Sequence, residues 1–426
     1  MLYTKPPQLS DRGGILHSLR FELIVVLVCG TFLPLLLTID FPSGASEISR
    51  PRMNSLLGAS LGAMGLVVIL RRLNLYPGMA IVQSILPVLG GLYGAVLAVF
   101  TVLQIDYSNR VLLVGFLSTL AARYAIGTLQ VRAPQLVYWI VPGGRVGLIS
   151  QLPNMATVPL WAPHLPEVSS CAIIADLHAD HPAEWERLIA EAAISGKPVY
   201  HYKQVWEAET GKVQIEHLSE NSFGALVPSL TYQKLKRSVD LVCCVLVLPI
   251  VAAMMLVTAI LIKLDSPGPA FFLQRRMGFR GRVFKVIKFR TMTVMNDGEQ
   301  RDASITQAGD QRITKIGHFL RRVRLDELPQ IINIIRGEMS WIGPRPEAVS
   351  LSAWYELEIP FYRYRHIVRP GITGWAQVNQ GHVASLEEID DKLQYDFFYI
   401  KNLSYWLDIL IVFRTLRVIL SGFGAK

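Results

Sequence analysis

Two adjacent carboxylates, Asp326 and Glu327, lie among the cations Arg321, Arg322 and Arg324, just ahead of the run Leu328-Pro329-Gln330-Ile331-Ile332-Asn333-Ile334-Ile335-Arg336-Gly337. Proline is tolerated in the first turn of a helix and glycine favours the position just past its end. Pro329 and Gly337 therefore bracket a helix with the acid pair at its start. A helix N-terminus offers free N–H groups and a partial positive charge, both suited to a phosphate. One carboxylate there can act as a nucleophile and its neighbour as a metal ligand, while arginines offset the repulsion of an incoming anion. By position alone the plainer reading is the commoner one, with Asp326 as an N-cap and Glu327 as a first-turn acid. The rest of the chain decides between them.

Those residues belong to a chain of 426, of which 51% are hydrophobic and only 18% charged, where a soluble domain carries about 25% charge. The mean hydropathy is +0.35. A wholly soluble protein is excluded, and so is a disordered one. Lys plus Arg (42) exceeds Asp plus Glu (33), a surplus that would point to nucleic acid if spread over a soluble surface. It is not spread: the stretch from Lys234 to Arg290 holds eleven basic residues against Asp240 and Asp265 and carries the whole net charge of +9. Nucleic acid is not an expected partner. The four cysteines show no metal-ligand spacing and read as small buried hydrophobes.

A helix needs about 20 apolar residues to cross a bilayer, and residues 1–130 offer four candidates: Leu23 to Ile39, Met53 to Leu70, Ala80 to Leu103, and Val111 to about Gly127. Arg123 interrupts the fourth and must snorkel or face protein. The first apolar run lacks a small-residue cleavage site and is expected to stay in the chain. With four crossings, Lys5, Arg12, Arg20, Arg71, Arg72, Arg123 and Arg132 share one side, against Arg50, Arg52 and Arg110 on the other. The positive-inside rule then places the N-terminus, and everything after residue 130, in the cytoplasm. A fifth apolar run, Leu241 to Ile262, is flanked by Lys234, Lys236 and Arg237 before it and by Lys263, Arg275 and Arg276 after it. A crossing would strand one basic cluster on the wrong side. Pro249, inside the run, removes a helix hydrogen bond and can turn the helix back. The run is read as a re-entrant helix that dips into one leaflet.

Between residues 134 and 230, strand-like runs at Leu136 to Val141, Cys171 to Ala175 and Pro198 to Tyr202 alternate with a helix from about Pro182 to Ile194. This reads as a small cytoplasmic α/β unit. Gly143, Gly144 and Gly147 follow a strand, but their spacing is not the dinucleotide fingerprint and Glu167 lies among prolines, so they are read as turn glycines. A second cytoplasmic domain, polar and rich in Arg, begins near Gln274. Tyr395 to Ile400 and Leu403 to Ile419 suit either helices on the membrane surface or packing on the catalytic core.

From about Tyr232 to the C-terminus, a series of landmarks stands in order: Lys236-Arg237 with Asp240; Ser266-Pro267-Gly268-Pro269 with Phe271-Phe272, Gln274 and Arg275; Lys288-Phe289-Arg290-Thr291-Met292; the Asp326-Glu327 pair; Gly343-Pro344-Arg345-Pro346; and Arg369-Pro370-Gly371-Ile372-Thr373-Gly374-Trp375-Ala376-Gln377-Val378-Asn379. Together they resemble the bacterial sugar transferase family, the monotopic polyprenyl-phosphate phosphoglycosyl transferases, in its large form with N-terminal transmembrane helices. The resemblance implies an α-rich membrane protein. Its parts are a four-helix transmembrane bundle (1–130), the small α/β unit (134–230) and a monotopic catalytic α/β domain (232–426) with the re-entrant helix at 241–262.

The resemblance also implies a reaction. Asp326 would attack the β-phosphate of a UDP-sugar, forming an acyl-phosphosugar enzyme and releasing UMP. Undecaprenyl phosphate would then take the sugar phosphate in the second half of a ping-pong course. Glu327 is implied to hold Mg²⁺, Lys288 and Arg321 to bind phosphate, and Pro344, Arg345 and Pro346 to bind the nucleotide, with Arg369 and Gln377 in the family's other substrate motif. The implied partners are a UDP-sugar, with glucose and galactose foremost, undecaprenyl phosphate and membrane lipid; a homodimer is left open. The implied place is the bacterial inner membrane, and the pathway is exopolysaccharide, capsule or O-antigen synthesis. Two rivals retain the helices without this chemistry: a catalytically silent scaffold or sensor for polysaccharide assembly, and a polytopic exporter in which Leu241 to Ile262 crosses.

Overall fold

The computed structural model describes residues 15–37, 49–74, 76–77, 81–132, 137–152, 155–166, 171–215, 230–293, 312–381 and 385–421. Of the positions singled out above, Lys5, Arg12, Ile39, Ala80, Leu136 and Glu167 lie outside the described residues. The chain divides into two compact units, 1–211 and 212–426. The division falls earlier than the boundary near 230 expected from sequence. Val213 N–H donates to the Gln394 carbonyl at 3.0 Å and Lys212 pairs with Asp391 at 2.8 Å, so these residues are sewn to the second unit.

In the first unit, α1 (Leu19–Leu27) and α2 (Leu33–Leu37) are joined by a π-helical stretch into one apolar rod, followed by α3 (Arg50–Leu73), α4 (Ile81–Val102) and α5 (Asn109–Arg132). Small residues on α3, among them Gly58, Ala59, Gly62 and Ala63, are buried, which lets neighbouring backbones approach. The fourth helix accommodates Arg123 by burial, not snorkelling. Arg123 is 2% exposed and lies 3.9 Å from Glu22, whose carboxylate also accepts from Arg71 Nε at 2.9 Å and Gln130 Nε2 at 2.7 Å. Among the described residues, five helices are long and apolar enough to cross a membrane, and three of them are thus tied by one buried acid.

After them, β1 (Val137–Ile140), β2 (Thr157–Pro159), β3 (Cys171–Ala175) and β4 (Val199–His201) form an all-parallel sheet in the order β2-β1-β3-β4, with α6 (Ala183–Ile194) and α7 (Tyr202–Thr210). β3 is buried at all five positions, as expected of a central parallel strand covered on both faces.

The second unit opens with α8 (Leu230–Asp265), the fifth of those apolar helices. The backbone stays helical through Pro249, so the reversal expected there is not a break in the helix. Cys244 and Ile262 on one stripe are buried, with Val247, Val251 and Met255 partly buried against the same domain, whereas Val245, Leu246, Ile250 and Leu256 are exposed. Packing of that stripe against the domain accompanies a backbone that stays helical across the proline. An antiparallel hairpin follows, β5 (Phe271–Met277) and β6 (Val283–Phe289), with Phe272 opposite Lys288.

Then come α9 (Lys315–Arg322), α10 (Gln330–Arg336), β7 (Ser340–Ile342), α11 (Val349–Glu358), β8 (Gly371–Thr373), α12 (Trp375–Asn379), α13 (Leu386–Lys401) and α14 (Tyr405–Ser421). β7 and β8 pair in parallel so closely that a Cβ on Gly371 would sit 2.1 Å from the Gly343 nitrogen, which explains glycine at both. Phe397, Phe398 and Tyr399 of α13 and Leu407, Leu410 and Ile411 of α14 are buried, so this C-terminal pair packs on the core.

Glu22→Ala leaves Arg123 buried without its acid, and breaking a buried pair costs about 3–5 kcal/mol. Thermal unfolding in detergent is expected at a clearly lower Tm for this variant, with partial recovery for Glu22→Asp; an unchanged Tm contradicts the assigned tie.

Candidate functional site

The acid pair does not sit on the α-helix itself. Arg324 adopts the left-handed conformation (φ 59°) and turns the chain sharply after α9, so that Leu325–Glu327 form a short 3₁₀ turn and α10 begins only at Gln330, behind Pro329. Gly337 ends α10 in the left-handed conformation, as its position in the sequence suggests. The expected helix-start placement is thereby shifted: the pair precedes α10 by a turn, and the positive charge set against it comes from side chains.

Those cations come from separate elements. Glu327, 7% exposed, accepts from Arg345 Nη2 at 2.7 Å and from Lys288 Nζ at 3.3 Å, both through Oε1. Asp326 Oδ1 is buried and has no hydrogen-bond partner among the described residues. The two neighbours are driven apart in acidity. Burial alone would raise Glu327, but the adjacent charges of Arg345 and Lys288 overcome it and hold Glu327 well below the usual carboxylate range. Asp326 is pushed up, first by burial and then by the negative charge of Glu327. The Lys288 ammonium is pushed down to about 8 by burial, despite the pull of Glu327 in the other direction.

Each contributor is held in turn. Lys288 lies on β6, and β6 is locked to α10 by Asn333, 0% exposed: its Oδ1 accepts from Ile287 N–H at 3.0 Å and its Nδ2 donates to the Lys285 carbonyl at 2.8 Å and to Glu338 Oε2 at 2.6 Å. The turn carrying Arg345 is fixed by Arg365, which donates to the Arg345 carbonyl at 2.9 Å and pairs with Asp396 at 2.8 Å in the interior. Arg276 donates to the Pro346 carbonyl and to Gln274 Oε1 at 2.8 Å, and burial with the nearby charge of Arg345 lowers it to about 10. Glu347, next to Pro346, pairs with Lys392.

Of the residues singled out from sequence, Asp326, Glu327, Lys288 and Arg345 come together. Pro344 and Pro346 flank Arg345 and line a shallow depression with Met277 and His366. Arg321 is set back on α9, its Nε donating to Thr291 Oγ1 at 2.9 Å. Arg369 donates to the Gly337 carbonyl at 3.1 Å, at the far end of α10 from the acid pair, and lies over the Phe279 ring. Gln377 donates to the Ile372 carbonyl at 2.9 Å, while its Oε1 is buried without a partner among the described residues. Arg369 thus braces the end of α10, and Gln377 its own loop. Asn333, Arg365 and Arg276 are the positioning residues that motif reasoning passed over. A lone amide inside Ile-Ile-Asn-Ile-Ile was the available signal for the first.

Comparison with known proteins points to one family. A family model described as bacterial sugar transferase matches residues 231–422. A UDP-N-acetylgalactosamine-undecaprenyl-phosphate N-acetylgalactosaminephosphotransferase from Aeromonas hydrophila is 42% identical over 376 residues, 88% of this chain and 88% of its own. A UDP-glucose:undecaprenyl-phosphate glucose-1-phosphate transferase from Escherichia coli (strain K12) is 46% identical over 196 residues, 45% of this chain and 41% of its own. An exopolysaccharide production protein from Rhizobium leguminosarum bv. phaseoli is 39% identical over 186 residues, covering 42% of this chain and 92% of that protein.

Asn333→Ala leaves the Ile287 N–H buried and unpaired, at a cost of about 1–3 kcal/mol. A lower Tm is expected together with a lower turnover, because Lys288 loses its register on Glu327. A variant with wild-type Tm and turnover contradicts the positioning role.

Proposed function

The chain belongs to the bacterial sugar transferase family, and on that premise we propose that it transfers a sugar 1-phosphate from a UDP-sugar to undecaprenyl phosphate, giving undecaprenyl diphosphosugar and UMP. This is the membrane step that starts a polysaccharide, in exopolysaccharide, capsule or O-antigen synthesis. The observation that carries the reading is the asymmetry of the acid pair: Glu327 is clamped by two cations while Asp326 Oδ1 is left unpartnered.

In this proposal Asp326 is the nucleophile. Its oxygen attacks the β-phosphorus of the UDP-sugar, the bond from that phosphorus to the bridging oxygen breaks, and UMP leaves with the electron pair. An oxygen of undecaprenyl phosphate then attacks the same phosphorus and Asp326 departs as a carboxylate. Attack of an anion on an anion needs positive charge in place beforehand, and Lys288 and Arg345 supply it. The raised pKa of Asp326, pushed up by burial and by the charge of Glu327, makes it a more basic, better nucleophile than an ordinary aspartate. Mg²⁺ suits the all-oxygen donors of this pair; Glu327 would hold it, and when bound it would offset the charge of the diphosphate. Arg345, between Pro344 and Pro346, binds and orients the nucleotide.

The protein is a membrane protein. We place it in the bacterial inner membrane with residues 130 onward on the cytoplasmic side, as the distribution of basic residues favours. The exposed apolar face of α8, with Leu246 and Ile250, would lie in lipid, keeping the site at the level of the acceptor phosphate. UDP-N-acetylgalactosamine heads the donor panel, because the relative that acts on it matches across 88% of both chains. UDP-glucose and UDP-galactose follow.

Asp326→Asn is expected to lower UMP release by at least about a thousandfold in folded, purified protein, on the scale of removing a nucleophile. Turnover near wild type refutes the assignment, and Mg²⁺-independent release by the wild type refutes the role given to Glu327. Because the ammonium form of Lys288 is the one that offsets charge, the rate should fall as pH rises through about 8. In Lys288→Arg that limb should move to higher pH; a limb that stays in place assigns it to another group.

A further inference from the structure

The acid-pair chemistry leaves unused a cluster of side chains in the α/β part of the first unit. In a parallel sheet, ligands bind beyond the carboxyl ends of the strands, where the strand order reverses. Here the order β2-β1-β3-β4 puts that reversal between β1 and β3. The loop after β1 carries Gly143 and Gly144, both at positive φ; the loop after β3 carries Asp176, His178 and His181; and β4 ends at His201.

A glycine-rich loop at this place often cradles a phosphate, but this one is filled by a protein anion. Asp176 Oδ2 accepts from Arg145 N–H at 3.0 Å, and its Oδ1 accepts from His178 N–H at 3.2 Å. A Cβ on Gly144 would fall 2.2 Å from Asp176 Oδ2, so the glycine is there to admit the carboxylate. Both the space and the charge argue against a second anion and for a cation.

The donors around Asp176 fit one. Asp176, His178 and His201 each offer a ligand atom, and these atoms lie within 4.8 Å of one another. The rings of His178 and His201 meet edge to face at 4.7 Å between centroids. A third imidazole, His181, is bonded through Nε2 to the Asp176 carbonyl at 2.8 Å, while its Nδ1 is buried without a partner among the described residues. Three donors around a tetrahedral ion with bonds of about 2.0–2.2 Å stand roughly 3.4 Å apart, so an inward shift of about an ångström, in which His201 Nδ1 gives up the Leu177 N–H it accepts at 3.2 Å, completes the geometry. Two imidazoles and one carboxylate select zinc or another late first-row metal over magnesium or calcium, which prefer all-oxygen sites.

We propose that Asp176, His178 and His201 form a transition-metal site, with Zn²⁺ as its natural occupant and its fourth position open to water or a ligand. The site clamps the loop after β3 to the end of β4. It is independent of the Mg²⁺ assigned to Glu327 and does not rest on the sugar-phosphate reading.

The test uses the full chain in detergent, with its affinity tag removed, freed of metal and titrated with Zn²⁺ and Co²⁺. Wild type should bind roughly one Zn²⁺ per chain and give the intense visible bands of tetrahedral Co²⁺. His178→Ala is the first variant, since its side chain is exposed. It should bind about tenfold more weakly or worse and lose those bands while keeping its far-ultraviolet circular dichroism. Asp176→Asn, which preserves a carbonyl acceptor for Arg145, should do the same. Failure of the wild type to bind either ion, or equal binding by wild type and His178→Ala, overturns the proposal.

Discussion

Two carboxylates on consecutive residues repel each other, and in a buried turn that repulsion is not screened by water. The fold resolves it unequally. Arg345 and Lys288 converge on one oxygen of Glu327 and leave Asp326 Oδ1 without a partner. One acid is thereby fixed as a permanent anion, and the other becomes the basic member of the pair. Had either cation bridged both acids, neither would be reserved for chemistry.

Much of the second unit exists to hold that inequality. Arg345 and Lys288 reach Glu327 from a loop after β7 and from a strand of the β5–β6 hairpin, so their meeting depends on contacts far apart in sequence. Asn333 fastens the hairpin to α10, and Arg365 with Asp396 fastens the loop. The close passage of Gly343 and Gly371 brings β7 alongside β8 and starts the Pro344-Arg345-Pro346 turn at a fixed height. At the other end of α10, Arg237 donates to the Ile335 carbonyl at 2.9 Å and Arg369 to that of Gly337, so the helix behind the acid pair is closed by basic side chains.

What could be read in the sequence follows from whether the signal is local. The apolar helices, the small α/β unit, the helix from Pro329 to Gly337 and the linear motifs are local patterns, and the structure reproduces them within a few residues. Asp326, Glu327, Lys288 and Arg345 were legible because each stands in a short, recognisable motif. Arg321, Arg369 and Gln377 stand in such motifs too, yet their side chains serve Thr291, the α10 terminus and their own loop. Motif membership marks a neighbourhood, whereas the atom a side chain reaches is set by packing. Pro249 makes the same point: proline disfavours a helix interior locally, yet the helix runs through it beside a packed stripe from Cys244 to Ile262. The Glu22 to Arg123 pairing was invisible because it joins residues a hundred positions apart.

The central claim is that Asp326, and not Glu327, carries the sugar phosphate between donor and lipid. Its most direct test is to mix purified enzyme with labelled UDP-sugar and Mg²⁺ in the absence of undecaprenyl phosphate, quench, and locate the label by mass spectrometry. The account predicts a sugar-phosphate adduct on Asp326, present in Glu338→Gln, absent in Asp326→Asn, and discharged when undecaprenyl phosphate is added. A labelled Glu327, or product formed at the normal rate with no adduct on any carboxylate, would contradict it.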